Sequence, residues 1–138
     1  MAVCECPAPT AYSAGIRSDS VWFSRADRTP QVLIEFERYD GTDASARKLE
    51  EKMRNLVDAA NRWQLAPKLL VLSAWSKGLV SAPDTSVLVS TLRKGFKTTA
   101  GVDVPPLRNV SVLFNRMIFQ TEAGGTLTLT HSLCERLQ

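Results

Sequence analysis

Three acidic residues fall on two neighbouring apolar segments of the chain and could together hold a cation. Asp19 lies in the segment 17–23, and Glu35 and Glu37 lie in the segment 31–38. Both segments are rich in Val, Ile and aromatic residues, which is typical of β-strands. Carboxylates brought together on one sheet face repel each other unless a divalent cation neutralises them or their pKa values rise. The two segments are therefore a candidate metal site.

A polar turn from Ser24 to Pro30 predicts that the two segments form an antiparallel hairpin. Directly opposed residues point to the same face, with Cβ atoms roughly 5 Å apart, and residues two apart on a strand share a face. A carboxylate on a strand more often belongs to a solvated outer face, and the pairing can slip by one residue. With a turn centred near Asp27, the expected pairs are Phe23 with Gln31, Val21 with Leu33, and Asp19 with Glu35, with Glu37 on the same face.

The elements after the hairpin are predicted to be helix, strand, helix, strand and strand. Apolar residues recur at spacings of three and four from about Ala44 to Trp63, which indicates a helix. A continuous apolar run at 68–75 is typical of a strand buried on both faces. A second helix is expected from Asp84 or Thr85 to about Lys97. Two strands are expected from Val110 to Gln120 and from Thr126 to Leu133, joined by a turn at Gly124-Gly125.

This order, β-β-α-β-α-β-β, predicts a single α/β (α+β) domain over residues 15–138. A central mixed sheet would be flanked by helices, because the hairpin is followed by a helix and strand that suggest a crossover. Residues 1–14, with Pro7, Pro9 and small side chains, are expected to be a flexible lead-in.

Composition indicates one globular domain of 138 residues, 44% of them hydrophobic, with a net charge of +3. This charge is compatible with nucleic acid but too small to argue for it alone. No apolar run approaches the roughly 20 residues of a membrane span, and no signal-peptide pattern opens the chain, so we expect a cytoplasmic protein without membrane contact. The number of cysteines is odd, which implies no closed set of disulfides. We expect free thiols at Cys4, Cys6 and Cys134. A single histidine, His131, excludes a multi-histidine metal site.

The acidic pattern resembles the PD-(D/E)xK nuclease superfamily, in which an Asp on one strand precedes a (D/E)-x-K triplet on the next strand and then a helix. Ser18-Asp19 matches the first element with Ser in place of Pro, and Glu35-Phe36-Glu37 matches the triplet with Glu in the lysine position. In some members a lysine of the following helix does the work of the missing lysine. Lys52, with Lys48 as second choice, is placed to do so. The resemblance implies a restriction-endonuclease-like fold.

A shorter set of motifs is similar to the C-terminal region of bacterial replication-relaxation proteins, which are associated with plasmids and other mobile DNA. The similarity covers roughly residues 16–56. Tyr39-Asp40, inserted before Gly41, departs from that pattern, and the usual upstream DNA-binding helices have no counterpart before Asp19. The motifs are Arg17-Ser18-Asp19, Glu35-Phe36-Glu37-Arg38, Gly41-Thr42, and Lys48-Leu49 with Lys52.

These resemblances imply metal-dependent hydrolysis of DNA. Asp19 and Glu35 would bind Mg²⁺ or Mn²⁺, with the backbone carbonyl of Phe36 as a further ligand. Glu37 would orient or deprotonate the attacking water, and Lys52 would stabilise the developing negative charge. Lys48 would contact a substrate phosphate, and Arg38 would either do the same or pair with Asp40 or Asp43.

Three other functions remain open on the sequence alone. The first is an inactive nuclease fold that binds DNA or a protein partner. The second is a small-ligand-binding α/β module with a pocket lined by Trp22, Trp63 and Trp75, although tryptophans at such spacings are more often core residues. The third is a subunit of a homodimer in which exposed edge strands pair with another copy.

Overall fold

A computed structural model describes residues 1–11 and 15–138 of the chain. The described residues form an α+β domain with a six-stranded mixed sheet, two helices and a separate two-stranded sheet. The elements are β1 (Ala2–Pro7), β2 (Arg17–Phe23), β3 (Pro30–Arg38), α1 (Asp43–Arg62), β4 (Leu69–Lys77), α2 (Ser86–Lys94), β5 (Phe96–Lys97), β6 (Asp103–Val104), β7 (Ser111–Thr121) and β8 (Leu127–Arg136).

The main sheet has the strand order β1-β2-β3-β4-β7-β8. Strands β1, β2 and β3 form an antiparallel meander, whereas β3, β4 and β7 are parallel to one another and β8 is antiparallel to β7. Helix α1 is the crossover that parallel pairing of β3 and β4 requires. The carboxyl ends of three strands therefore meet at one edge of the sheet.

The predicted hairpin register is confirmed in the middle of β2 and β3 and is wrong near the turn. Val21 lies opposite Leu33, as expected, but Phe23 lies opposite Pro30 and not Gln31. The register shifts between Trp22 and Phe23 because of a β-bulge or similar irregularity. A proline has no N–H to donate to a regular ladder, which accounts for an irregularity at this end.

Helix α1 packs its apolar stripe on one face of the main sheet, which we call the helix face. Thr42 caps the helix by accepting a hydrogen bond from the Ser45 N–H, and Arg62 lies in its last turn. Helix α2 adds Leu88 and Leu92 to the same core. It ends three residues earlier than expected, because Gly95 adopts φ +69° and the next two residues pair as β5. The core residues that join α1 to the sheet include Leu49, Met53, Leu56, Val21, Leu33, Leu70, Leu72 and Val112.

The opposite face of the main sheet, which we call the open face, carries exposed apolar side chains. Trp22, Phe36 and Leu129 are between 45% and 50% exposed. Both described helices belong to the core on the helix face, so the expectation that helices flank the sheet holds on one side within the described chain.

The N-terminal segment differs from the flexible lead-in predicted for residues 1–14. Ala2–Pro7 form β1, which pairs with β2, and Cys6 and Ala8 are buried. The outer edge of β2 would otherwise present unpaired backbone groups, and a proline is tolerated at the end of an edge strand. Residues 12–14 of that prediction lie outside the described residues.

Two further expectations concern the membrane and the thiols. Within the described chain, no helix combines the length and the apolar character that crossing a membrane demands. Cys4, Cys6 and Cys134 are free, with Cys6 buried and the other two exposed.

Candidate active site

Asp19 and Glu35 meet on the helix face, as the hairpin register predicts. Ser20 lies opposite Ile34, so the next residues of each strand, Asp19 and Glu35, face the other side of the sheet. Asp19 Oδ2 accepts a hydrogen bond of 2.7 Å from the backbone N–H of Phe36. This bond ties the Asp19 carboxylate to the backbone beside Glu35.

Lys52 of α1 completes a three-residue cluster with these carboxylates, which we call the Asp–Glu–Lys cluster. Its Nζ lies 2.7 Å from Glu35 Oε2 and 3.5 Å from Asp19 Oδ1. Because Leu49, Met53 and Leu56 anchor α1 on the sheet, the Lys52 side chain reaches over the carboxylates. The structure thus brings together three of the four residues predicted to be catalytic.

Burial dominates the electrostatics of Glu35, whose side chain is fully buried. Loss of solvent raises the pKa of Glu35 from 4.5 to about 7; Lys52 opposes this rise and Asp19 adds to it. Burial alone would lower the pKa of Lys52, but Glu35 and Asp19 outweigh it, so the Lys52 pKa is raised. Near neutral pH, Glu35 therefore exchanges a proton while Lys52 stays charged.

One oxygen of Glu35 stands out within the described residues. Oε1 is buried without a hydrogen-bond partner there, whereas Oε2 is bound by Lys52. A buried polar atom without a partner costs free energy, so such atoms usually contact an ion, a water or a ligand. Oε1 therefore has no hydrogen bond within the described residues that a cation would have to replace.

The structure groups two carboxylates at the cluster, whereas the sequence predicted a patch of three. Among residues 1–11 and 15–138, no three His, Cys, Asp or Glu side chains are grouped so that they could hold one metal ion. Glu37 alternates onto the helix face and lies opposite Ala74, where its Oε1 accepts the N–H of Arg38. The side chains available to a cation at the cluster are the two carboxylates of Asp19 and Glu35.

The two predicted phosphate contacts lie in different places. Arg38 follows Glu37 and projects to the open face, where its Cζ lies 5.8 Å from the centre of the Trp75 ring. The structure therefore does not bring Arg38 to the Asp–Glu–Lys cluster. Lys48 is exposed on α1 one turn before Lys52, on the same side of the helix.

The loop between β3 and α1 fixes where the helix begins. The Tyr39 side chain is buried, and the backbone N–H of Tyr39 donates a hydrogen bond to the backbone carbonyl of Trp75. Asp40 Oδ1 accepts from both the N–H and the hydroxyl of Thr42, and these bonds lower the pKa of Asp40 to about 2. Tyr39 and Asp40 thus have a structural role in placing α1.

Arg116 of β7 is a candidate that sequence reasoning missed. It lies opposite Ala74 on the helix face, in the same row as Glu37, at the carboxyl edge of the parallel strands. Its Nη2 donates to the carbonyl of Val80, and its buried Nε has no partner among the described residues. The signal in the sequence is a single arginine within the otherwise largely apolar run 110–120.

The pocket expected from Trp22, Trp63 and Trp75 is not formed. Trp63 of α1 packs edge-on against Phe23 at 5.9 Å, whereas Trp75 packs edge-on against Phe119 at 6.3 Å. Trp22 is exposed beside Val32, far along the sheet from Trp75 in the strand register. The three rings lie in separate environments and do not line a common pocket, so they do not support the small-ligand hypothesis.

Comparison of the chain with protein-family models, with curated proteins and with solved structures gave no match.

Proposed function

We propose that the chain is a divalent-metal-dependent nuclease that hydrolyses phosphodiester bonds in DNA. The observation that carries this proposal is the Asp–Glu–Lys cluster, with its buried Glu35 oxygen that lacks a partner among the described residues. Mg²⁺ takes one or two protein carboxylates together with water and substrate phosphate oxygens. Two carboxylates on one sheet face suit that requirement.

The residues would divide the work of the reaction as follows. Asp19 and Glu35 would hold Mg²⁺ or Mn²⁺, which would supply charge stabilisation and a nucleophilic water. Glu37, at the strand end, would orient the attacking water or accept its proton. In the cluster, the single positive charge of Lys52 now partly neutralises the two carboxylates. A divalent cation would take over that neutralisation and leave Lys52 free to stabilise charge on the phosphate.

Three observations support this interpretation. Asp19 on one strand, Glu35-Phe36-Glu37 on the next and Lys52 on the following helix occur in the order that the PD-(D/E)xK resemblance implies. Lys48 is exposed one turn from Lys52 and could contact a neighbouring phosphate. The net charge of +3 favours a polyanionic substrate. The separate similarity of residues 16–56 to replication-relaxation proteins would associate this activity with mobile DNA.

Plasmid nicking tests the proposal. Supercoiled, linear and branched DNA are incubated with Mg²⁺ or Mn²⁺ and with Asp19→Asn, Glu35→Gln or Lys52→Met variants. Because the three groups act on one transition state, each variant should lose most of the rate. Glu50→Gln is a matched control, since Glu50 lies on the same helix but pairs with Arg54. Equal loss of cleavage in Glu50→Gln would contradict the assignment.

The second candidate is a nuclease fold that binds DNA or a protein without cleaving. It is favoured by the ion pairs of Lys52, which give both carboxylates a cationic partner without a metal ion. Salt-sensitive DNA binding by wild type without cleavage under any condition tested would establish this function instead.

A further inference from the structure

The open face carries a shallow groove of about 360 Å³ lined by Phe36, Trp75, Met117, Phe119 and Leu127. All five lining side chains are apolar, and Phe36 and Leu127 are 45% and 44% exposed. Single exposed apolar residues are ordinary, whereas a contiguous group of them beside basic side chains is a candidate binding surface.

Basic side chains stand beside the aromatic rings of this groove. The register places Arg38 opposite Trp75 and Lys77 opposite Phe119, and opposed residues share a face. Arg38 is already in contact distance of the Trp75 ring, 5.8 Å from its centre. The two central aromatic rings therefore each have a cation as their cross-strand neighbour.

In strands β2, β3, β4, β7 and β8, acidic side chains are confined to the helix face, whereas basic side chains occur on both faces. Arg38, Lys77 and Arg136 project to the open face. Docking of a second copy face to face would bring only like charges together from these strands, whereas an anionic partner would meet complementary charge. The acidic residues of β2, β3, β4, β7 and β8 all project to the helix face; they are Asp19, Glu35, Glu37 and Glu135.

We propose that this groove binds single-stranded nucleic acid. Bases would stack on Phe36, Trp75 and Phe119, and Arg38 and Lys77 would contact the backbone phosphates. A single strand fits this chemistry because the base faces of a duplex are already stacked on one another. The groove lies on the opposite side of the sheet from Asp19 and Glu35, so this binding does not require the cluster to cleave DNA.

Fluorescence anisotropy with labelled 20-nucleotide oligothymidine and oligouridine, in EDTA, tests the proposal. Trp75→Ala and Arg38→Gln should each weaken binding by about tenfold, because one stacked base or one phosphate contact is lost. Trp22→Ala is the matched control: Trp22 is 50% exposed on the same face but lies outside the groove. Its affinity should stay within about twofold of wild type.

The dependence on salt provides a second measurement. Arg38→Gln combined with Lys77→Gln should reduce the slope of log affinity against log salt by about 1.4, since each phosphate contact on a single strand contributes about 0.7. If melting curves show that Trp75→Ala unfolds, Phe36→Ala at an exposed position takes its place.

Three results would overturn the proposal. The first is tighter binding to duplex than to single strands, and the second is equal weakening by Trp22→Ala. The third is no oligonucleotide binding together with a dimer that Trp75→Ala disperses, which would show that a second copy covers the groove. Asp19→Asn should leave binding intact, so failure to cleave and failure to bind single strands are separate outcomes.

Discussion

Glu35 is the residue on which the proposed chemistry depends. A fully buried carboxylate is costly unless it is neutral, paired or bound to a cation. Lys52 provides one partner at 2.7 Å, but burial still raises the Glu35 pKa to about 7. A group that titrates near neutral pH beside a second carboxylate is a frequent feature of functional sites.

Glu35 should make stability depend on pH. Its folded pKa of about 7 exceeds the value of 4.5 that an exposed Glu has. The folded state therefore holds this proton more tightly, so the stabilisation is complete below pH 4.5 and is lost as pH rises through 7. The loss should be on the order of 3 kcal/mol.

Urea unfolding of wild type and Glu35→Gln at pH 5 and pH 8 measures this effect. The difference in unfolding free energy between the two proteins should fall as pH rises, since only wild type titrates at this position. A difference that stays constant would show that Glu35 ionises like an exposed carboxylate.

Metal affinity should follow the same ionisation. Calorimetric titration with Mn²⁺ should give tighter binding at pH 8 than at pH 6, because the carboxylate ligand must be deprotonated. Asp19→Asn should weaken Mn²⁺ binding by at least about tenfold, because even loss of a residue that only hydrogen-bonds to a metal ligand has an effect of that size. Glu50→Gln again serves as the control. Equal affinity in wild type and Asp19→Asn, or none in either with DNA present, would exclude the metal site.

For single residues, the alternation of a strand predicts which face a side chain occupies, whereas Lys52 as a distant neighbour was named only through the family resemblance. The alternation of β3 correctly placed Glu35 with Asp19, and the same rule places Arg38 on the opposite face from Glu37. Arg116 could not be found in this way, because its proximity to the carboxyl edge depends on β7 pairing in parallel with β4.

Helix α1 is the element that turns two strand carboxylates into a cluster. Its predicted span of 44–63 nearly matches Asp43–Arg62, because the apolar stripe and the Thr42 cap are both local features of the sequence. Strand β1 was missed for the opposite reason. Its residues have no strong strand pattern, and their pairing is decided by the free edge of β2.

Truncation of the α1 stripe should cost substantial stability. Leu56 is fully buried, so Leu56→Ala should lower the unfolding free energy by about 2–5 kcal/mol through lost burial and a residual cavity. Val87→Ala on α2 is the control, because Val87 is 44% exposed and should cost about 0.5 kcal/mol or less. Denaturant unfolding with equal midpoints for Leu56→Ala and wild type would show that the stripe is not core.

At the scale of the whole molecule, β8 is the exposed outer edge of the main sheet. All ten of its residues are exposed, and residues 123–134 include no Asp, Glu, Lys or Arg. Edge strands of monomeric proteins are usually protected by charge, proline or a covering element. We therefore expect two copies to pair β8 with β8 about a two-fold axis, which leaves the open face of each copy accessible.

Light scattering over a range of concentrations measures this association. Leu133→Lys, at a side chain that is 56% exposed on β8, should shift the equilibrium to monomer by placing like charges at the pairing edge. Leu79→Lys is the control, since Leu79 is 77% exposed in the loop after β4. Monomeric wild type at all concentrations would contradict the expected pairing.

Strand β3 contributes to both surfaces at once, with Glu35 on one side and Phe36 on the other. A shift of a strand by a single residue exchanges all of its side chains between the two faces. Such a shift in β3 would turn the carboxylates outward and place Phe36 and Arg38 under α1. The site can therefore change by substitution at single positions, whereas a one-residue insertion or deletion within β3 would abolish both surfaces together. Variation in the length of this strand should be far rarer among functional variants than variation in its side chains.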